Sequence, residues 1–321
     1  MLVNKILGWR LYSTSSQTYT PPHSVQVPVK TLESKIDRSK NWLFSYGKSV
    51  LECRYVRREN AMDKISLYVS SHNGCTMGCK FCFLTNQNQT SFKHSSLDSY
   101  MMQIQTVLDH YNRQTLINPD EKAKRVNINF MARGEPLANK IVVNRYDQFY
   151  DCVNRFVPKY GLEGFRMNIS TIMPKTIQNR SLIDIFKDRP AHLYYSLYSL
   201  EDKFRDHWMP NAMPWRDALD KLKAYQEVSG IPITFHWAII KDHNDDLKMF
   251  REMAQVLKDY DFNAKYSIVR YNPHENSNSE EADDERRNEI FSILSPIMKS
   301  SKIIPRVGYD VNASCGMFVN Q

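Results

Sequence analysis

From residue 65 onward, apolar and polar positions along the chain follow two periods in turn. Segments 65–70, 126–131, 164–170, 192–197, 233–240 and 264–269 read as strands. Between them, apolar residues return every three or four positions. Leu97, Met101, Ile104, Leu108 and Tyr111 form one such series; Trp215, Leu219, Leu222 and Tyr225 form a second; Leu247, Phe250, Ala254 and Leu257 form a third. Each is the apolar stripe of an amphipathic helix. Pro214 suits the first turn of the second helix, and Gly230 suits the position just past its end. Six βα units in succession predict a parallel sheet, which right-handed crossovers curl into a barrel or part of one.

Parallel strands covered on both faces usually read as unbroken apolar runs. Here Phe165, Met167 and Ile169 alternate with Arg166, Asn168 and Ser170, and Val126, Ile128 and Phe130 alternate with Asn127 and Asn129. One face therefore packs helices while the other lines a polar space. The predicted fold class is α/β, a partial (β/α)6 barrel with a polar lumen and a short N-terminal β extension. Leu43 to Leu51 reads as a hairpin with Gly47 in its turn, followed by the basic residues Arg54, Arg57 and Arg58. The chain thus divides into an arm over 1–42, a small β extension over 43–64 and a core barrel over 65–321. Residues 1–32 hold no acid and include Pro21 and Pro22, the composition of a flexible arm, with an organelle transit peptide as the alternative.

Length and composition narrow the picture. The 321 residues, 42% apolar and 24% charged, suit one large soluble domain, and no run reaches the ~18 apolar residues that a membrane span needs. A net charge of +8 favours polyanionic partners, RNA or DNA before membranes. Six cysteines, three of them in one loop, are no disulfide framework and point to a reducing, cytoplasmic setting.

That loop, Cys75-Thr-Met-Gly-Cys79-Lys-Phe-Cys82, carries the chemistry. Soft thiolates suit zinc or an iron-sulfur cluster. A structural zinc site wants four protein ligands, which His72 or His94 would have to complete. Three thiolates alone match a four-iron cluster that leaves one iron open. The spacing, with Phe81 before the third cysteine, resembles the radical S-adenosylmethionine (SAM) signature, which implies a [4Fe-4S] cluster and SAM as cofactors.

Further short stretches fall at strand ends, where an α/β barrel keeps its chemistry. They are Gly134-Glu135-Pro136-Leu137, Ser170-Thr171, Ser196-Leu197-Tyr198 and Tyr271-Asn272-Pro273, and Asp242-His243-Asn244-Asp245 and Asn312-Ala-Ser-Cys315-Gly316 stand in order with them. Taken singly, each is an ordinary turn or strand-end cap. Taken in order, over residues 48 to 321, the set resembles the radical SAM adenine-C2 RNA methyltransferases of ribosomal and transfer RNA and the related C8 resistance enzymes. The resemblance implies that Cys75, Cys79 and Cys82 hold the cluster and that Gly134, Glu135, Ser170, Ser196, Leu197, Tyr198 and Asn272 bind SAM. By the same resemblance Cys315 is methylated and carries the methyl to the base, and Glu52 lines up with the proton acceptor. It also implies an electron donor such as flavodoxin or ferredoxin, and a monomer. Arg54, Arg57, Arg58 and Lys80 flank the cluster loop in sequence and are expected to form a basic rim for RNA.

The chain departs from the family in three places. About 45 residues precede the matching region, where the family carries an accessory helical domain. Tyr198 stands where a histidine is usual. Tyr68 stands where the family has its second catalytic cysteine, the thiol that releases the methylated base, and a phenol cannot replace a thiolate in that exchange. Cys53 is the nearest spare thiol, and as a bare cysteine it reads first as a small buried hydrophobe. The rival readings are a non-catalytic or trapping RNA-binding relative and a radical SAM enzyme with another substrate.

Overall fold

Ten strands pair into one sheet whose spatial order is the order of the chain: β1 Lys30–Glu33, β2 Lys40–Tyr46, β3 Ser49–Val56, β4 Lys64–Tyr68, β5 Arg125–Phe130, β6 Gly164–Thr171, β7 His192–Tyr195, β8 Ile233–Ala238, β9 Ala264–Val269 and β10 Ser300–Ile303. The computed structural model describes residues 26–273, 279–314 and 316–319, so Cys315 lies outside the described residues. β1 to β4 pair antiparallel, and β4 to β10 pair parallel. Each parallel step is bridged by a helix, in turn Leu97–Ile117, Tyr146–Phe156, Leu182–Phe186, Trp215–Ser229, Leu247–Asp259 and Asp284–Leu294. Among the described residues β1 and β10 are the two edges of the sheet, so the barrel they form is incomplete.

The expected six strands are β4 to β9. A seventh parallel strand, β10, escapes the sequence pattern because Ser-Ser-Lys-Ile is short and mostly polar. The antiparallel extension likewise starts earlier than the hairpin signal, since β1 falls inside the stretch read as an arm and pairs Lys30 with Leu43. Gly47 sits in the β2–β3 turn with φ +68°, a backbone conformation that favours glycine.

The helix Leu97–Ile117 begins where the Ser96 hydroxyl accepts from the Ser99 backbone N–H and Ser99 reciprocates. Trp215–Ser229 starts after Pro214, which is its N-cap, so the helix begins one residue later than expected for that proline, and it ends at Gly230 with φ +69°. Their apolar stripes meet the outer face of the sheet. Met101, Ile104, Leu108, Leu219 and Leu222 are buried, and each such leucine contributes about 1.5–3 kcal/mol relative to exposure. The other face of the same strands is polar, as the alternation predicts, and Asn127, Asn129, Arg166, Asn168 and Ser170 line a lumen of about 850 Å³. Among the described residues no helix is long and apolar enough to cross a membrane.

Candidate active site

The thiol loop leaves the C-terminal end of β4 and is pinned along its length. The backbone N–H of Ser71 donates to the Arg133 carbonyl at 2.7 Å, and that of Cys75 donates to the Gln89 carbonyl at 3.1 Å. Lys80 N–H donates to Trp208 O at 3.0 Å, and the Asn211 amide donates to Met77 O at 3.2 Å. Gly74 is required by packing, because a Cβ there would stand 2.4 Å from the carbonyl oxygens of both Gln89 and Ser91. Cys75, Cys79 and Cys82 all line the lumen. Burial pushes all three thiols up, and for Cys75 and Cys79 the neighbouring thiols add to it.

Among the described residues, no three His, Cys, Asp or Glu side chains are drawn together tightly enough to chelate a metal ion as they stand. The donor set nonetheless fits an iron-sulfur cluster better than zinc. The two histidines that a zinc site would need are engaged elsewhere, with His72 Nε2 and His94 Nδ1 3.0 Å apart and His72 stacked on Phe92 at 3.9 Å. Burial, followed by the charge of His94, holds His72 down at about 3. Three thiols raised by desolvation gain most from a ligand that brings compensating positive charge.

Glu135 lies beside the thiols at the end of β5. Its Oε1 accepts from Leu137 N–H at 2.9 Å and its Oε2 from Ile172 N–H at 3.1 Å, while burial lifts the carboxyl to about 7. A ligand ammonium would favour its ionised form. Gly134 has φ +89°, and a Cβ on it would lie 2.5 Å from His72 Nδ1. Ser170, Ser196, Tyr198 and Asn272 all face the same lumen. Tyr198 holds a left-handed backbone, φ +61°, stacks on Phe81 with centroids 4.2 Å apart, and offers its carbonyl to the Asn244 amide at 3.2 Å. The Asn272 Oδ1 accepts from Arg306 Nε at 2.8 Å, and Arg306 also reaches the Tyr271 carbonyl and Glu281.

Four expectations change. Leu197 is fully buried in the core and does not line the lumen; its carbonyl accepts from Arg205 at 2.7 Å, so it shapes the end of β7 without touching the cavity. Glu52 does not line the lumen either. Its Oε1 accepts from Arg133 Nη2 and from Val319 N–H, each at 2.9 Å, and its Oε2 accepts from Arg54 at 2.7 Å. Although burial raises it, the two guanidiniums hold its carboxyl below the usual range, which makes it a poor proton acceptor. The expected basic rim dissolves as well: Arg54 and Arg57 are buried, and Lys80 is the exposed member, hydrogen-bonded to His207. Finally, the stretch from His274 to Glu285, whose Ser, Asn and Glu content reads as a solvated loop with its acids as surface charge, holds one acid that is not. Glu281 binds Arg270 in a two-pronged pair and also meets Arg306 and Arg287; residues 274–278 of that stretch lie outside the described residues.

The residues that sequence reasoning missed are Arg54 and Arg133 as clamps on the C-terminal segment. Arg54 donates to the carbonyls of Ala313 at 3.2 Å and Met317 at 2.7 Å, and Arg133 donates to that of Val319 at 2.7 Å. Phe318 lies under both guanidiniums, 5.1 and 5.7 Å from its ring centre. Ala313, Ser314, Gly316 and Phe318 line the lumen, so the chain on both sides of position 315 is held at the cavity by Glu52 and its arginines. Strand parity could have found Arg54, which is two residues from Glu52 and so on the same face. Tyr68 and Ser66 line the lumen as that parity predicts, whereas Ser70 turns to the Glu52 backbone. Cys53, on the opposite parity, is fully buried in the core.

No family model matches the chain. Over 326 residues it is 28% identical to the dual-specificity RNA methyltransferase RlmN of Helicobacter hepaticus, covering 95% of this chain and 82% of that protein. The RlmN of Bdellovibrio bacteriovorus is 26% identical over 90% of this chain and 67% of its own length, and that of a Methylobacterium species is 28% identical over 84% and 62%. Among solved structures, a radical SAM methyltransferase from Sphaerobacter thermophilus superposes with a TM-score of 0.71 at 19% identity, covering 91% of this chain and 80% of that one, which shows a shared fold.

Proposed function

Since the chain is a divergent member of the RlmN-like radical SAM methyltransferases, we propose that it methylates a ring carbon of an adenine in RNA, with Cys315 as the methyl carrier. The observation that carries this reading is the convergence of three thiols, Glu135 and the chain on both sides of position 315 on one cavity of about 850 Å³, room enough for SAM and one extruded base. Cys75, Cys79 and Cys82 hold the cluster. Glu135 meets the SAM ammonium, and Ser170, Ser196, Tyr198 and Asn272 meet the remaining polar groups of the cofactor. Gly134 leaves the backbone close enough for that contact. The bound cluster supplies the electron that cleaves SAM, the chemistry needed because the C2 position of adenine is not nucleophilic.

Cys315, as the thiolate, takes the methyl by displacement at the methyl carbon of SAM, forming a carbon-sulfur bond as the sulfonium-methyl bond breaks and S-adenosylhomocysteine leaves. Arg54, Arg133 and Glu52 position the segment that bears it. The electron donor is a flavodoxin or ferredoxin, the protein acts as a monomer, and its setting is the cytoplasm. Anaerobic protein loaded with iron and sulfide, then given SAM and dithionite, yields deoxyadenosine; with RNA added, nucleoside mass spectrometry finds a methyladenosine absent from the Cys315→Ala reaction. Tightly bound zinc without sulfide, or an unchanged adenosine profile, refutes the proposal.

Tyr68 in the lumen wall and Cys53 in the core favour a second reading of the last step. Carrier methylation and addition to the base need no second cysteine, but release does. The protein then retains the RNA as a covalent adduct on Cys315. A denaturing gel shows a shifted band that is lost in Cys315→Ala and converted to free methylated RNA in Tyr68→Cys. Multiple turnovers without added thiol refute this reading.

A further inference from the structure

The lumen has a second end, and its chemistry is unlike the first. Where β4, β5, β9 and β10 begin, and at Arg166 of β6, the side chains that line the cavity are Lys64, Arg125, Arg166, Lys265 and Lys302, with Arg58 two residues past the end of β3. Strand register gathers them. Lys64 lies beside Arg125, Ser66 and Asn127 continue the row to Arg166, and Lys265 lies between Thr234 and Ser300, the latter on the strand that bears Lys302. Lys64 is four residues from Tyr68 on β4, so this end lies roughly 13 Å or more from the thiol end.

These cations have almost nothing to neutralise them. The one carboxylate among the described lining residues is Glu135, at the other end. Asp63 approaches Arg125 at 3.9 Å, with both side chains well exposed, and Glu59 and Glu163 pair with none of the six. Arg125 Nε is buried and has no hydrogen-bond partner. Of the residues outside the described set, 1–25 contain no acid and 274–278 contain the single acid Glu275. Lys302 is pulled below its usual range by burial and then by Arg58, Lys64 and Lys265. Elsewhere in the cavity the chain supplies carboxylates to its arginines, as Glu52 does for Arg54 and Glu281 does for Arg270 and Arg306.

We infer that the N-terminal mouth of the barrel is a binding site for a small ligand bearing two or more phosphate groups. Cations facing inward from β4, β5, β6, β9 and β10, of which Arg125 alone has a carboxylate as near as 3.9 Å, repel one another until a multiply charged anion joins them. Their arrangement converges on a compact group. A single-stranded RNA would instead need cations spread along a groove with aromatic platforms between them. Guanidinium and ammonium donors together suit phosphate oxygens.

The test uses the cluster-loaded protein under anaerobic conditions, with inorganic tripolyphosphate as the probe and ATP as a second arm, by titration calorimetry. Native protein binds tripolyphosphate, and its melting temperature rises above that in chloride of equal ionic strength. In the double variant Lys64→Gln/Lys302→Gln the dissociation constant rises roughly tenfold or more, the unliganded protein melts no lower than native, and SAM affinity is unchanged. ATP binding as tightly as tripolyphosphate assigns recognition to the phosphate chain alone, and tighter ATP binding assigns it to a nucleotide; both sustain the site. Absence of tripolyphosphate binding by native protein, equal affinity in the double variant, a lower melting point of the unliganded variant, or loss of affinity confined to an RNA oligonucleotide overturns it.

Discussion

The two ends of the lumen treat positive charge in opposite ways. At the C-terminal end every arginine near the cavity is tied to a carboxylate hub: Arg54 and Arg133 to Glu52, and Arg270 and Arg306 to Glu281. At the N-terminal end Arg166, Lys265 and Lys302 form no ion pair among the described residues. Fixed pairs suit a place where irregular loops must hold reacting groups within a fraction of an ångström, because a buried, satisfied network has one geometry. Unpaired charges suit a place where a ligand completes the set. The strands run from one end to the other, so the difference lies in where the chain places its carboxylates, Glu52 on β3 and Glu281 beyond β9 at the one end and none among the described lining residues at the other.

The largest effect expected is at the thiols. Changing Cys75, Cys79 and Cys82 together to Ala removes iron and sulfide, and deoxyadenosine formation falls by roughly a hundredfold or more, while the circular dichroism of the sheet persists. Persisting SAM cleavage would mean that the cluster sits elsewhere.

Next is the hub. Glu52→Gln leaves two buried guanidiniums without their counter-charge, a loss of about 3–5 kcal/mol that a denaturant midpoint reads directly. The pH dependence carries a sign. Because the folded-state pKa of Glu52 is depressed, its contribution is fully present above the unfolded value of about 4.5 and is lost as pH falls through the depressed one. The midpoints of native and variant protein therefore converge in acid. A residue that served as proton acceptor alone would leave the midpoint unmoved at every pH.

Gly134→Ala comes third. Its Cβ would meet His72 at both Nδ1 and the backbone nitrogen, 2.5 and 2.8 Å away, at a φ of +89°. A loss of about 1–3 kcal/mol is expected, with a raised KM for SAM. A neutral Gly134→Ala would show that the glycine is not needed for close approach. Smallest is the response of the cationic end to salt. Raising ionic strength from about 0.05 M to about 0.5 M screens the repulsion and raises stability by no more than about 1 kcal/mol, an increment that Lys302→Gln reduces.

Much of this was legible in the sequence, for reasons that are local. Period-two alternation placed β4 to β9 to within about two residues, and it correctly sent Asn127, Asn129, Arg166 and Asn168 into the lumen, because a pleated strand leaves its side chains no other choice. The three-thiol loop was legible because loop side chains that act together lie close in sequence. What the alternation missed was β10 and β1, whose four residues each hold too little apolar pattern to count. Arg54 and Arg57 misled for a related reason: proximity in sequence to the cysteine loop says nothing about whether a charge faces water or a buried partner.

The sequence by itself determined the parts that depend on near neighbours: the six βα units, the polar inner face, the three-thiol loop and the absence of the resolving cysteine at Tyr68. Only the tertiary structure decided that Glu52 is a hub for the C-terminal segment, that Leu197 is core and that the cations of five strands and Arg58, between β3 and β4, meet at one mouth. The partners in those contacts lie far apart along the chain, as Glu52 and Val319 do. A charge buried by distant residues leaves no periodic trace, so its role appears when the sheet closes around it.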